Sequence, residues 1–212
     1  VSRINISLDS LKPERFRAMT RVGDLAAVLE GIDAALAEGF EKLKINAVVL
    51  RGRNHDEVAG LVRFAVDRGM DISFIEEMPL GQVDSHDRAR EFYSSDAIQR
   101  DLAQVFDLLP TLETTGGPSR YYRVAATQTR VGFISPHSHN FCATCNRVRV
   151  TAEGRLLLCL GNDHAVDLKA VLRDGPEGRT RLHSVITEAM ALKPERHHFN
   201  LEAQPVILRH MN

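Results

Sequence analysis

The first eighty residues alternate strand-like with helix-like patterns, and that alternation restricts the fold more than any other feature of the chain. Arg3-Ile-Asn-Ile-Ser-Leu8 alternates polar with apolar, as a strand with two unlike faces must. A helical stretch is predicted from Pro13. A second helix follows Asp24 as N-cap and carries Leu25, Val28, Leu29, Ile32 and Leu36 until Gly39 ends it. Leu43-Lys-Ile-Asn-Ala-Val-Val-Leu50 is the next strand, and a polar loop holding Asn54 leads to a helix with Val58, Leu61, Val62 and Ala65 that stops at Gly69. Asp71-Ile-Ser-Phe-Ile-Glu76 is a third strand, broken by Pro79-Leu-Gly81. Connections of this length between strands imply parallel pairing. Three strands do not close a barrel, so both edges are expected to be open.

The texture then changes. Residues 82–94 show no readable period, and Ser95 is expected to cap a helix carrying Ile98, Leu102, Val105, Phe106 and Leu109. Past Gly116-Gly-Pro118, hairpin-like strands are predicted near 121–124, 129–134, 147–151 and 155–160. Two closing helices are predicted, one near 166–173 and one holding Leu182, Val185, Ile186, Ala189 and Met190. The fold class is α/β: half of a TIM-like β/α barrel over residues 1–81, a helical connection over 82–118, and a smaller α+β module over 119–212. With 27 Lys+Arg against 28 Asp+Glu and 6% aromatic residues, nothing draws the chain to nucleic acid. No apolar run approaches the ~20 residues needed to span a bilayer. The opening Val1-Ser-Arg-Ile-Asn has no signal-peptide pattern and runs almost at once into a strand, so the sequence reads as the interior of a longer one.

All three cysteines fall between Cys142 and Cys159, which suggests metal ligation in a reducing, cytoplasmic setting rather than a disulfide framework. Cys142 and Cys145 form a CxxC knuckle. Gly154 sits where the hairpin loop Ala152-Glu153-Gly154 needs positive φ. That loop pairs Thr151 with Arg155, hence Arg149 with Leu157 and Arg147 with Cys159, and period-2 alternation places Cys145, Arg147, Arg149 and Cys159 on one face. The three sulfurs are expected to converge, with two guanidiniums beside them. No acidic residue lies from Cys142 to Thr151, so an anion, best a phosphate, is the expected missing partner. Two metals stay open on spacing: a 4Fe–4S cluster with one iron left free, or a Cys3His zinc site drawing on His137, His139 or His164 in a non-enzymatic binding module.

In the barrel half, outward Ile4, Ile6, Ile45, Ala47 and Val49 turn Asn5, Ser7, Lys44 and Asn46 inward, with Glu76 and Met78 expected inward on the third strand. Barrel interiors are normally apolar, so these polar groups need each other or a ligand. Lys44 paired with Glu76, or Met78 as core filler, would be the purely structural explanation. His197-His198 is expected on the solvated surface.

Taken together, Asn5-Ile-Ser-Leu-Asp-Ser10, Lys44-Ile-Asn-Ala-Val, Phe74-Ile-Glu-Glu-Met-Pro79 and Cys142-xx-Cys145-Asn-Arg-Val-Arg149 followed by Cys159-Leu resemble the GTP 3′,8-cyclases, radical S-adenosylmethionine enzymes that open molybdenum cofactor biosynthesis. The resemblance runs in order from Val1 to about Lys193. It implies an incomplete β/α barrel with a 4Fe–4S cluster at each end, one generating a 5′-deoxyadenosyl radical from S-adenosylmethionine and one anchoring the purine of GTP. It further implies that Cys142, Cys145 and Cys159 hold the second cluster, that Lys44, Arg147, Val148 and Arg149 contact GTP, and that Ser7 and Met78 contact S-adenosylmethionine. The partners it implies are the N-terminal half of the barrel, the downstream cyclic pyranopterin synthase and a second copy of the chain. The family's CxxxCxxC motif would lie before Val1, and its terminal Gly-Gly pair is absent at Met211-Asn212, so the chain by itself is expected to be inactive.

Overall fold

The computed structural model describes residues 2–81, 85–162, 164–197 and 199. The chain divides into two compact units, residues 1–77 with 87–139, and residues 78–86 with 140–212.

In the first unit, β1 (Arg3–Ser7) is followed by α1 (Pro13–Thr20) and α2 (Leu25–Ala37), then β2 (Lys42–Val49), α3 (Val58–Asp67) and β3 (Asp71–Glu76). Pro13 opens α1, where a missing N–H costs nothing. Asp24 caps α2 by accepting the Ala26 N–H at 2.9 Å, and Gly39 follows that helix with φ +71°. After a short α4 (Arg88–Glu91) and α5 (Ser95–Ala103) come β4 (Leu108–Pro110), β5 (Arg120–Val124) and β6 (Arg130–Ile134). The six strands form one mixed sheet in the order β1-β2-β3-β6-β5-β4. β1 pairs parallel with β2, β2 with β3 and β3 with β6, while β5 and β4 add on antiparallel. β1 is thus an edge strand. Leu43, Ile45, Ala47, Val49, Ile72, Phe74, Val131 and Phe133 share the core with Ile32, Leu61, Val62, Ala65, Ile98 and Leu102 of the helices. Each fully buried Val, Leu, Ile or Phe among them contributes about 1.5–3 kcal/mol.

Three expectations change here. Strands 120–124 and 130–134 extend the first sheet instead of belonging to the later module, because β6 finds the free parallel edge of β3; the division falls near 139/140 rather than at 118/119. Ser94, not Ser95, caps α5, accepting the Ala97 N–H at 3.2 Å, and Ser95 is buried as the first helical residue. Glu76 does not face the polar side of the sheet. It pairs in register with Val49 and so shares the helix-covered face with Phe74. Its carboxylate accepts the Ser95 N–H at 2.8 Å and the His137 and Ser138 N–H groups at 3.0 and 3.1 Å, and the Ser138 hydroxyl donates to it as well. Four donors explain how a fully buried carboxylate is tolerated there.

In the second unit, β7 (Arg149–Val150), β8 (Arg155–Leu157) and β9 (Ala165–Asp167) make an antiparallel sheet in that order, followed by α6 (Leu168–Arg173) and α7 (Gly178–Ala191). Residues 166 and 167, expected to begin a helix, are extended with Ala165 because they pair with β8, and Asp167 caps α6. Leu156, Leu158, Leu168 and Ala189 form the unit's core, with Val166, Leu182, Val185 and Ile186 packed on it.

Candidate functional site

The cysteine hairpin is built from local rules. Asn140 Oδ1 accepts the Cys142 N–H at 2.7 Å, and Cys142–Thr144 form a single 3-10 turn closed by the Cys145 N–H on Cys142 O at 3.0 Å. The loop Ala152-Glu153-Gly154 has the expected register: the Thr151 N–H donates to Arg155 O at 2.9 Å, and Arg149 faces Leu157. Gly154 has φ +83°, and a Cβ there would lie 2.8 Å from Lys169 Cβ, so both conformation and space require glycine. Its carbonyl accepts the Leu168 and Lys169 N–H groups, which docks the loop on the start of α6.

Cys142, Cys145 and Cys159 are all free and half-buried. The Gly161 N–H donates to Cys159 Sγ at 3.4 Å, and an Arg147 terminal nitrogen lies 4.0 Å from Cys145 Sγ, with its guanidinium 5.3 Å from the Phe141 ring centre. Burial pushes the Cys145 thiol up, but hydrogen bonds from Arg147 and the charges of Lys193 and Arg147 outweigh it and leave the thiol below its ordinary range.

Two expectations for this region are not met. The ladder stops at Arg149–Leu157, so Arg147 and Cys159 form no strand pair; Lys193 Nζ instead donates to Arg147 O at 3.0 Å and Leu158 O at 2.6 Å, bridging the open end of the hairpin. No three His, Cys, Asp or Glu side chains are gathered in metal-binding geometry among the described residues, so the convergence of the three sulfurs is not seen. Arg147 and Arg149 are exposed, and Val148 is 39% exposed. Desolvation therefore does not oblige these guanidiniums to find an anion. His197, expected in solvent, is half-buried, with Nε2 2.9 Å from Asn140 Nδ2; its neighbour His198 lies outside the described residues.

On the parallel strands, the alternation places Asn5, Lys44 and Asn46 away from the apolar core as expected. Among the described residues Lys44 meets neither Glu76 nor another carboxylate. Its Nζ donates to Tyr121 Oη at 3.3 Å, and Tyr121 in turn bonds Thr115 Oγ1 at 3.3 Å. Burial would raise the Tyr121 phenol, but the Thr115 and Ser119 hydrogen bonds and the Lys44 ammonium bring it below its usual value. Asn46 Oδ1 is buried without a hydrogen-bond partner. Ser7 ends β1 with its residue exposed, and Met78, half-buried, belongs to the second unit.

Sequence reasoning missed the network at the C-terminal ends of β1 and β2. Asn54, fully buried, accepts the Leu50 N–H at 2.8 Å and donates to Asp9 O and Val48 O at 2.7 and 2.8 Å. Glu57 accepts the Ser10 hydroxyl and the Leu11 N–H, and Asp9 accepts the Val48 N–H at 2.8 Å. The contacts of Ser10, Leu11 and Asp9 join residues 39 to 47 apart and leave no periodic trace. Tyr121 was likewise visible only as one strand residue.

His137 Nε2 lies 2.9 Å from Glu77 O, and His139 Nε2 lies 2.7 Å from Asp96 Oδ1.

Comparison with known proteins decides the family. Residues 70–199 match Molybdenum Cofactor Synthesis C, a stretch that includes β3, the added strands and the whole cysteine hairpin. The chain belongs to the Molybdenum Cofactor Synthesis C family. Residues 1–65 match the Radical SAM superfamily, which covers β1, β2 and most of α3. Proteins named GTP 3′,8-cyclase from Pseudomonas entomophila, Ectopseudomonas mendocina and Saccharophagus degradans are 63%, 59% and 58% identical over the whole chain. The chain spans 64% of the length of each. These matches give no support to a zinc-stabilised binding module. Among the described residues no helix is long and apolar enough to cross a membrane.

Proposed function

We propose that the chain is the substrate-binding part of a GTP 3′,8-cyclase, in which S-adenosylmethionine radical chemistry joins the ribose C3′ of GTP to C8 of its guanine. The observation that carries this reading is identity of 58–63% to proteins of that name across the entire chain, cysteine–arginine hairpin included. In this reading the first unit is the later part of an incomplete β/α barrel with strands 120–124 and 130–134 added to its sheet, and residues 140–212 carry the cluster and substrate module. The missing barrel strands and the S-adenosylmethionine-reducing cluster come from a segment before Val1, and the chain needs that segment for turnover.

The residues fit a three-cysteine 4Fe–4S cluster in donor chemistry. Three free, half-buried thiols share one module, and an N–H and a guanidinium already point at two of the sulfurs, as ligating thiolates require. Cys142, Cys145 and Cys159 would hold it, and when bound it supplies an iron with a free coordination position. The chain's own work is binding and orientation. Arg147 and Arg149 present planar forks of donors suited to phosphate oxygens, with the Val148 backbone between them. Lys44, held by the Tyr121 hydroxyl, supplies a further cation toward GTP. Ser7 and Met78 serve S-adenosylmethionine. Outside the site, the downstream cyclic pyranopterin synthase and a second copy of the chain are the protein partners in this reading.

The test uses the full-length protein, purified and reconstituted without oxygen, with iron assay and calorimetric GTP titration side by side. Cys159→Ala should lose cluster iron. Arg149→Ala should keep its iron and weaken GTP binding by the ~1.5–3 kcal/mol of a hydrogen bond to a charged group. Stoichiometric zinc in place of iron, or undiminished GTP binding in Arg149→Ala, contradicts the assignment.

A further inference from the structure

The segment after α7 runs back over the cysteine hairpin and touches the surroundings of each thiol. Lys193, just past the helix end at Ala191, is half-buried, and its ammonium donates to Arg147 O and Leu158 O, the residues flanking the arginine pair and Cys159. His197 meets Asn140, whose carbonyl oxygen holds the Cys142 N–H. Gly161, the donor to Cys159 Sγ, leaves the space in which His197 and Phe199 pack: a Cβ on it would lie 2.8 Å from an atom of each.

Lys193 matters most among these contacts. Residues 145–148 lie in no strand, so the backbone that carries Arg147 lacks the ladder that fixes Arg149. Lys193 supplies a tie in its place, from 46 residues away in sequence. Its partners there are neutral carbonyls, so the ammonium adds its charge to those of Arg147 and Arg149 without cancelling any. A long side chain held before binding need not lose its freedom during binding.

We propose that Lys193 is a positioning residue for Arg147: bonded to Arg147 O and Leu158 O, its ammonium holds that guanidinium beside the cysteine knuckle so that a nucleoside triphosphate meets it already ordered. This rests on the reading of Arg147 as a GTP contact.

The experiment is a double-substitution cycle in the full-length, cluster-loaded protein, with GTP affinity by anaerobic calorimetry, iron content and melting temperature measured on each variant. Lys193→Met should keep its iron and weaken GTP about three- to tenfold, the range for ordering one long side chain at binding instead of beforehand. In an Arg147→Ala background the same substitution should change affinity less than about twofold, since no guanidinium is left to position. Lys193→Gln, whose amide can still donate to one carbonyl, runs the same cycle if Lys193→Met does not fold. Unchanged affinity in Lys193→Met, or an equal loss in both backgrounds, overturns the proposal, the latter by showing that Lys193 meets the nucleotide itself. Undiminished affinity in Arg147→Ala alone removes the GTP reading of that arginine, and is seen without any Lys193 variant.

Discussion

Replacing Glu76 by Gln tests whether the end of β3 is held by one carboxylate. Its Oε1 accepts the Ser95 N–H and the Ser138 hydroxyl, and its Oε2 accepts the His137 and Ser138 N–H groups at 3.0 and 3.1 Å. An amide can keep only one oxygen. In the less costly orientation that oxygen stays on His137 and Ser138, and the new NH2 faces the Ser138 hydroxyl, which can turn to accept. The Ser95 N–H then loses its acceptor at the start of α5, a buried donor costing about 1–3 kcal/mol. The two retained N–H bonds fall from charged to neutral strength, about 1 kcal/mol each. Relief from burying a charge offsets part of this, so the net loss is about 3 kcal/mol. For a chain of this size that lowers the melting temperature by roughly 6–12 °C. Urea and thermal unfolding followed by circular dichroism measure it, with Ser138→Ala as the comparison: that change removes one donor and leaves three, and should cost about 1.5 kcal/mol, the low end for a hydrogen bond to a charged group. A Glu76→Gln protein within ~0.5 kcal/mol of the parent would refute the four-donor account, because surface-like tolerance is incompatible with it.

Two further outcomes follow from the same sheet. Gly132→Ala should destabilise by about 1–3 kcal/mol in urea unfolding, since its Cβ would lie 2.1 Å from Ser119 Oγ, 2.6 Å from Ser73 Oγ and 2.8 Å from Tyr121 Cε1. Asp9→Asn should raise the melting temperature at pH 7: burial, only partly countered by the Val48 N–H, lifts the Asp9 carboxyl above its ordinary value, and Asn keeps an acceptor for that N–H. An acid with a raised folded pKa destabilises above that pKa and ceases to do so below its unfolded one, so the gain should vanish as pH falls through the carboxylate range; a gain that persists in acid contradicts this origin.

The parallel part of the fold was readable because its signals are local. Asp24, Gly39 and Gly69 each mark a helix end through their own backbone, and Ile45, Ala47 and Val49 report one buried face through a period of two. Glu76 was misread for the same reason that the method works. A carboxylate in the run Ile72, Phe74, Glu76 looks out of phase with its apolar neighbours, and only the N–H groups of Ser95, His137 and Ser138, brought from 19 to 62 residues away, make that position habitable. Strands 120–124 and 130–134 were recognised as strands but not as part of the first sheet, because pairing partners are a property of the open β3 edge and not of either segment.

The site divides along the same line. A tight turn fixes register over a few residues, so Gly154 was enough to align Arg149 with Leu157. Two residues further on, that constraint is spent. Arg147 leaves the ladder, Cys159 has no strand partner across from it, and Lys193, far along the chain, donates to Arg147 O and Leu158 O instead. The cysteine spacing picks out candidate ligands without saying how they would be drawn together, since three thiols alone supply neither a positive centre nor a hydrogen-bonded shell. In this chain the shell is legible in part: the Gly161 N–H on Cys159, Arg147 on Cys145 and Asn140 on the Cys142 backbone all stand in place. A sulfur that already accepts an N–H or faces a guanidinium carries negative charge at lower cost. At Cys145 the Arg147 hydrogen bonds and the Lys193 and Arg147 charges favour the thiolate, and in the proposed reading a shared metal would draw the three sulfurs together.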